Sequence, residues 1–155
     1  MRSTVAGAAW RFGFVLFAAA GSLVAGTAGQ AHADCTQSGT TVTCTGPSPG
    51  GFDAGGQDGL TVTVQPGATV GTGLSLNDNN ITSNLGAISV GNGVSGIVTG
   101  VNNQISSSGT ITGGINATAI FANSGARVTN SGTLTVGDGG GGIVLAGTGS
   151  ALAAE

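Results

Sequence analysis

The chain has 155 residues, of which 32 are Gly, 39% are hydrophobic and only 6% are charged. Ordinary soluble domains carry about 25% charged residues, so Ser, Thr, Asn and Gly must supply most of the polar surface here. The formal net charge of −3 excludes a basic surface for nucleic acid and a polybasic membrane-binding segment.

The N-terminal segment has the pattern of a secretory signal peptide. Two arginines are followed by an apolar run that ends near residue 26, and an Ala-His-Ala pattern ends at Ala33, as a signal peptidase requires. We therefore predict a signal peptide over residues 1–33, cleavage between Ala33 and Asp34, and export of the rest. The alternative is a membrane anchor, although the apolar run is short for a span of about 20 residues.

Cys35 and Cys44 follow closely after the predicted cleavage site. In an exported protein, two cysteines at short spacing predict a structural disulfide, and free thiols are the alternative. We assign residues 34–56 to an N-terminal cysteine-loop or cap region.

The mature part is acidic and has almost no aromatic residues. Its only basic residue is Arg127, and it lacks Lys, His, Tyr and Trp. The acidic residues are Asp34, Asp53, Asp58, Asp78, Asp138 and Glu155. One positive and six negative side chains give a net charge of −5.

This inventory predicts no enzymatic activity and no catalytic, cofactor-binding or metal-binding residues. General acid–base catalysis usually uses His, Lys or a pair of carboxylates. No Asp recurs at a fixed repeat position, as a calcium-binding solenoid needs. We expect Arg127, Asp53 and Asp58 to be solvated turn residues.

An internal repeat of about 23 residues dominates the second half of the chain. Gly86, Gly109 and Gly132 follow one another at this spacing, and we interpret them as repeated turns. Four apolar columns share it, namely Ile88, Ile111 and Leu134; Ile97, Ile120 and Ile143; Val98, Phe121 and Val144; and Ile105, Val128 and Ala151. We interpret the first two columns as core ladders.

Within each unit, the pattern is typical of short strands. The segments GAISV, GTITG and GTLTV alternate apolar with small or polar residues, the period of a half-buried strand. Clusters of Gly and Asn between the strands permit positive φ angles and mark turns. We predict an all-β parallel β-helix (solenoid) with coils of about 23 residues over residues 57–155, with clear units from about residue 83. An antiparallel sandwich and a disordered chain are the alternatives.

Taken together, the signal peptide ending in AHA, the cysteine pair in DCTQSGTTVTC and the units resembling NSGTLTV make the chain similar to the N-terminal part of a bacterial autotransporter (type V secretion) passenger. The resemblance implies a right-handed β-helix that uses the export and outer-membrane assembly machinery of a Gram-negative bacterium. It also implies location at the cell surface or outer membrane, or secretion, and an adhesin-like or surface-structural role toward an unknown surface or host ligand.

Autotransporters end in a membrane β-barrel, and this sequence contains no series of long amphipathic strands that could form one. We therefore expect a passenger fragment without its translocator, able to associate with itself through an uncapped solenoid end. Two other functions stay open: a carbohydrate-acting secreted β-helix enzyme and a small secreted glycine-rich structural protein.

Overall fold

The computed structural model describes residues 34–154, which form seventeen short strands and no helix. The all-β prediction is confirmed. No helix in this part of the chain is long and apolar enough to cross a membrane. The predicted signal peptide and Ala33 lie outside the described residues.

The strands follow one another as five coils of three strands, with one strand before and one after them. The first are β1 (Cys35–Ser38), then β2 (Thr41–Cys44), β3 (Pro47–Ser48) and β4 (Phe52–Asp53) in coil 1, and β5 (Thr61–Val64), β6 (Thr69–Val70) and β7 (Leu74–Leu76) in coil 2. Coil 3 has β8 (Ile81–Asn84), β9 (Ala87–Val90) and β10 (Ser95–Thr99), and coil 4 has β11 (Gln104–Ser107), β12 (Thr110–Gly113) and β13 (Thr118–Ala122). Coil 5 has β14 (Arg127–Asn130), β15 (Thr133–Val136) and β16 (Gly141–Leu145), and β17 (Ala151–Ala154) follows.

Equivalent strands of successive coils stack into three sheets. The first sheet has the order β1-β2-β5-β8-β11-β14-β17, the second β3-β6-β9-β12-β15 and the third β4-β7-β10-β13-β16. Every pair is parallel except β1 with β2. This is a parallel β-solenoid, as the repeat predicted.

The coils differ in length. Thr41 pairs with Thr61, which pairs with Ile81, so coils 1 and 2 are equally long. Ile81 pairs with Gln104, which pairs with Arg127, so the next two coils are each three residues longer and have the predicted period. The solenoid therefore includes residues 41–53, and the predicted register stops at coil 3 because the coils before it are shorter.

The difference arises mainly at the corner between the second and third sheets. Thr69 and Leu74 are equivalent in register to Ala87 and Ile97. The chain thus needs five residues for this corner in coil 2 and ten in coil 3, while the preceding corner is two residues shorter in coil 3. Coil 1 has the same short corner between its second and third sheets as coil 2.

The two columns predicted as core ladders stack in the interior, whereas the column of Val98, Phe121 and Val144 lies on the outer face of the third sheet. Ile88 pairs with Ile111 and Ile111 with Leu134, while Ile120 pairs with Ile97 on one side and Ile143 on the other. All are buried except Leu134 and Ile143, which are half-buried.

One column prediction is wrong. Val128 pairs with Leu152, and Ala151 pairs with Arg127 instead. The return from Ile143 to Ala151 has one residue more than the return from Ile120 to Arg127, which shifts the last strand by one position.

The repeated glycines Gly86, Gly109 and Gly132 lie at the corner between the first and second sheets, and none has a positive φ. A Cβ atom on Gly86 would lie 2.5 Å from the carbonyl oxygen of Gln65. Cβ atoms on the other two would collide with the backbone carbonyl of the preceding repeat glycine. These glycines therefore allow the backbones of adjacent coils to approach closely.

Two Asn-Asn pairs close the corner before the first sheet. Asn79 and Asn102 adopt left-handed φ angles of 57° and 56°, while the asparagines that follow them are buried. The backbone N–H of Leu60 donates to Oδ1 of Asn80 at 2.6 Å, and that of Asn80 donates to Oδ1 of Asn103 at 2.8 Å. An unpaired buried N–H costs about 1–3 kcal/mol. The Oδ1 atoms of Asn80 and Asn103 avoid this cost, because they accept the two N–H groups at the corner in place of a backbone carbonyl.

The N-terminal end of the solenoid is covered along the first sheet. Strand β1 runs antiparallel to β2, and the disulfide joins Cys35 to Cys44 across this pair. Gln37 donates from Nε2 to Oε1 of Gln57 at 2.8 Å. Beneath this cover, Val42 and Cys44 are fully buried.

The C-terminal end is open among the described residues. Strand β17 continues only the first sheet, so β15 and β16 are edge strands of the second and third sheets. Leu152 is 53% exposed, and Leu134 and Ile143 are half-buried. Strands β3 and β4 are edge strands at the N-terminal end in the same way, so among the described residues the two ends differ in the disulfide-linked cover over coil 1 and in how far their apolar residues are buried.

Candidate binding groove at the step in coil length

A groove lies on the outside of the third sheet, where the short coils meet the first long coil. The residues that line it are Gly50, Phe52 and Asp53 from coil 1, Thr72, Gly73, Leu74 and Ser75 from coil 2, and Val94, Ser95 and Val98 from coil 3. Its volume is about 330 Å³. The groove exists because the longer corner of coil 3, which carries the 40% exposed Val94, extends past the short corners of coils 1 and 2.

The backbone around the groove is held by hydrogen bonds between coils. The N–H of Phe52 donates to the carbonyl of Gly73 at 3.1 Å, and the N–H of Ala54 donates to the carbonyl of Ser75 at 2.9 Å. Gly73 has a φ of +85°, and a Cβ atom there would lie 2.6 Å from the carbonyl oxygen of Ser95. These contacts restrict the backbone of coils 1 and 2 beneath the groove, so the groove is largely pre-formed.

Polar and apolar groups are arranged side by side in the groove. Asp53, Ser75 and Val98 form one outward-facing column of the third sheet. The carboxylate of Asp53 accepts the N–H of Gly55 through Oδ1 at 2.8 Å. Since a carboxylate has about four acceptor positions on two oxygens, Asp53 keeps acceptor capacity for a ligand.

The outer face of the first sheet is a second surface with a different character. A column of hydroxyl side chains runs along it, made of Thr43, Thr63, Ser83, Ser106 and Thr129. Beside this column lies a shallow depression of about 240 Å³, lined in part by Ile81, Gln104 and Arg127. Arg127 is exposed, so this face carries the only basic side chain of the described residues.

The structure places the predicted residues as follows. The disulfide between Cys35 and Cys44 is confirmed. Asp53 and Arg127, expected in turns, lie in strands β4 and β14. Asp58 is an exposed residue between strands, and its Oδ1 accepts the N–H of Asp78 at 3.0 Å.

Sequence reasoning missed the groove. The residues that form it come from three coils, and none of them was part of a pattern that reached back to coils 1 and 2. One signal was present: Thr41-Val42-Thr43 recurs as Thr61-Val62-Thr63, one short coil later. That repeat would have located the two short coils, and with them the step.

Within residues 34–154, no three His, Cys, Asp or Glu side chains are grouped closely enough to hold a metal ion. The arrangement offers hydrogen bonding, one carboxylate and apolar contact, which are properties of a binding surface. The prediction that the chain is not an enzyme stays a prediction.

Comparison of the chain with protein-family models, with curated proteins and with solved structures finds no match. The function is therefore inferred from the geometry of the chain itself.

Proposed function

We propose that the chain is the N-terminal part of an exported, non-enzymatic autotransporter passenger with a surface-structural or adhesin-like role. The observation that carries the proposal is the five-coil solenoid with a column of hydroxyl side chains on the outer face of its first sheet and a disulfide-linked cover at its N-terminal end. A rod of stacked coils presents the same kind of surface many times, which suits adhesion through several weak contacts.

Export is supported by the predicted signal peptide and by the disulfide. Disulfides persist in oxidising compartments outside the cytoplasm, and Cys35 and Cys44 are joined. In this proposal, the export and outer-membrane assembly machinery of a Gram-negative bacterium delivers the chain to the cell surface or the medium. The ligand is a component of a surface or a host.

Self-association through the open end is part of the same proposal. Strands β15 and β16 present an unpaired edge within the described residues, and such edges readily pair with other β-strands. A second copy of the chain is the occupant that we propose for this edge.

A carbohydrate-acting enzyme is the rival function that a groove of this kind suggests. Glycoside hydrolysis generally uses two carboxyl groups about 5–9.5 Å apart. Among the described residues that line the groove, Asp53 is the one carboxylate. A single carboxylate supports binding rather than hydrolysis.

The experiment is expression of the chain with a C-terminal tag in a Gram-negative host, followed by mass spectrometry of the product. We expect an N-terminus at Asp34 and an oxidised Cys35–Cys44 pair in the protein outside the cytoplasm. Ala33→Asp is the control, since a signal peptidase requires a small residue at that position, and this variant should stay unprocessed.

Two results would contradict the proposal. One is an unprocessed wild-type chain in the cytoplasm with both thiols reduced. The other is a purified, processed chain that does not bind glycan- or protein-coated surfaces. A barrel-coding sequence directly after the codon for Glu155 would support the autotransporter assignment.

A further inference from the structure

We propose that the groove at the step in coil length binds a single pyranose unit of an amine-bearing glycan. This inference rests on the proposed adhesin-like function for its biological setting and assigns a ligand class to it. The groove itself is a property of the folded chain, so binding can be measured independently of export.

The size of the groove suits one sugar ring. Its volume of about 330 Å³ lies at the small end of the range of about 300–1,000 Å³ for small-molecule sites. The rest of a glycan would leave through the open side of the groove. A site of this size has room for a terminal or branching unit and none for a buried oligosaccharide.

The apolar part of the groove matches the nonpolar face of a pyranose. Phe52 belongs to the inward-facing column of Leu74 and Ile97 and is partly buried against the core. The apolar surface of the lining that faces outward therefore comes from Val94 and Val98 of coil 3. The C–H groups on one face of a sugar ring can pack on such side chains, as apolar surface does generally. Because Val94 and Val98 are not fully buried, part of their surface is available to a ligand.

The polar part matches the hydroxyl groups and the amine. Thr72, Ser75 and Ser95 line the groove, and their hydroxyls can each donate and accept a hydrogen bond. The carboxylate of Asp53 has acceptor capacity beyond its bond to Gly55. A protonated amine near Asp53 would make a charge-assisted hydrogen bond, which is roughly twice as strong as a neutral one.

Charge excludes acidic sugars from the same place. No Lys, Arg or His is among the described lining residues, and the mature chain has a net charge of −5. A uronic acid would face the carboxylate of Asp53 without a compensating cation. The expected order of affinity is therefore glucosamine, then glucose, then glucuronic acid.

The test is a titration of the purified, isotopically labelled chain followed by the backbone amide signals in NMR spectra. Glucosamine should shift the amides of Phe52, Ser75 and Val98, with a dissociation constant on the order of 1 mM. Glucose should bind at the same amides more weakly. Cyclohexylamine has the amine and the ring without the hydroxyls, and it should bind at least several-fold more weakly than glucosamine.

Two variants with the same change of charge separate the groove from the general acidity of the chain. Asp53→Asn should weaken glucosamine binding about tenfold, because it replaces a charge-assisted hydrogen bond with a neutral one that is roughly half as strong, and should leave glucose within about twofold. Asp138→Asn is the matched control, because Asp138 lies in the corner of coil 5, outside the groove. This variant should bind as the wild type does.

Several results would overturn the inference. Equal shifts for all three sugars would show no recognition of the amine, and equal losses in the two variants would show unspecific attraction to an acidic surface. Preferred binding of glucuronic acid, or shifts around Arg127 instead of Phe52, would place the ligand on the first sheet. None of these outcomes depends on whether the chain is exported.

Discussion

The two ends of the solenoid are built from the same columns of residues but differ in what covers them. At the N-terminal end, strand β1, the disulfide and Gln37 cover coil 1, and Val42 is fully buried. As at coil 1, only the first sheet of coil 5 is covered, but β17 does so without a disulfide, and Leu152 of this strand is 53% exposed. The burial of an inward-facing apolar residue thus depends on what covers it on both sides.

The column of Ile97, Ile120 and Ile143 shows the same effect within one set of identical side chains. The first two are 0% exposed, and Ile143 is only partly buried. The position of a residue in a column therefore determines whether its side chain points inward. The neighbouring coils determine how much of that side chain is buried, and so how much it contributes to the stability of the fold.

The largest expected effect comes from this column. Ile120→Ala removes a fully covered side chain and should lower the free energy of unfolding by about 2–5 kcal/mol. Ile143→Ala makes the same change at the open end, where the side chain is already partly in contact with solvent, and should cost less than half as much. Urea denaturation of both variants measures the difference, and equal losses would contradict an open C-terminal end.

The next effect concerns the cover itself. Replacing both Cys35 and Cys44 by Ala should lower stability by about 2–4 kcal/mol, because the disulfide closes a loop in the unfolded chain. Since stability in a solenoid spreads through nearest neighbours, amide hydrogen exchange should accelerate most in β2 and β5.

The amides of β14 serve as the internal control for this variant. They lie at the other end of the first sheet, and their exchange should change little. Uniform acceleration along the whole chain would show that the solenoid unfolds as one unit, with no separate contribution from the covered end.

A smaller effect separates two glycines of one column. A Cβ atom on Gly96 would lie 2.7 Å from the carbonyl oxygen of Ala119, so Gly96→Ala should cost about 1–3 kcal/mol. The equivalent Gly142 has no atom within 4 Å of such a Cβ. Gly142→Ala should be neutral or stabilise by up to about 1 kcal/mol, since Gly is unfavourable inside a strand. Thermal unfolding of both variants tests the contrast, and a similar loss at Gly142 would mean that a further layer covers it.

The sequence predicted the fold best where coils of equal length are stacked. Ile88, Ile111 and Leu134 stack at the predicted spacing because no residue is inserted between them. The prediction failed at Ala151 because the segment before it has one additional residue. That segment consists mainly of Gly, Ser and Thr, so the spacing of apolar residues does not reveal the insertion.

The first two coils could not be recognised by the same reasoning. Their second- and third-sheet strands are only two or three residues long, too short to show an alternation of apolar and polar residues. Their corner between these sheets is five residues shorter than in coil 3, which removes the common period. The groove could not be predicted from the sequence for a related reason. It arises from a difference in length between neighbouring coils, and no single motif encodes such a difference.

The smallest effect on stability is expected at the exposed surface, and it tests the open end through association. Leu152→Lys places a charge at the open end, and Ile81→Lys makes the same kind of change on the outer face of coil 3. The two side chains are 53% and 50% exposed, so each variant should alter stability by less than about 0.5 kcal/mol. Lysine at a sheet edge opposes pairing with another chain, so Leu152→Lys alone should reduce self-association in sedimentation velocity experiments. If both variants reduce association equally, general repulsion is the cause and the open end is not the contact. If neither does, the open end does not hold the copies together.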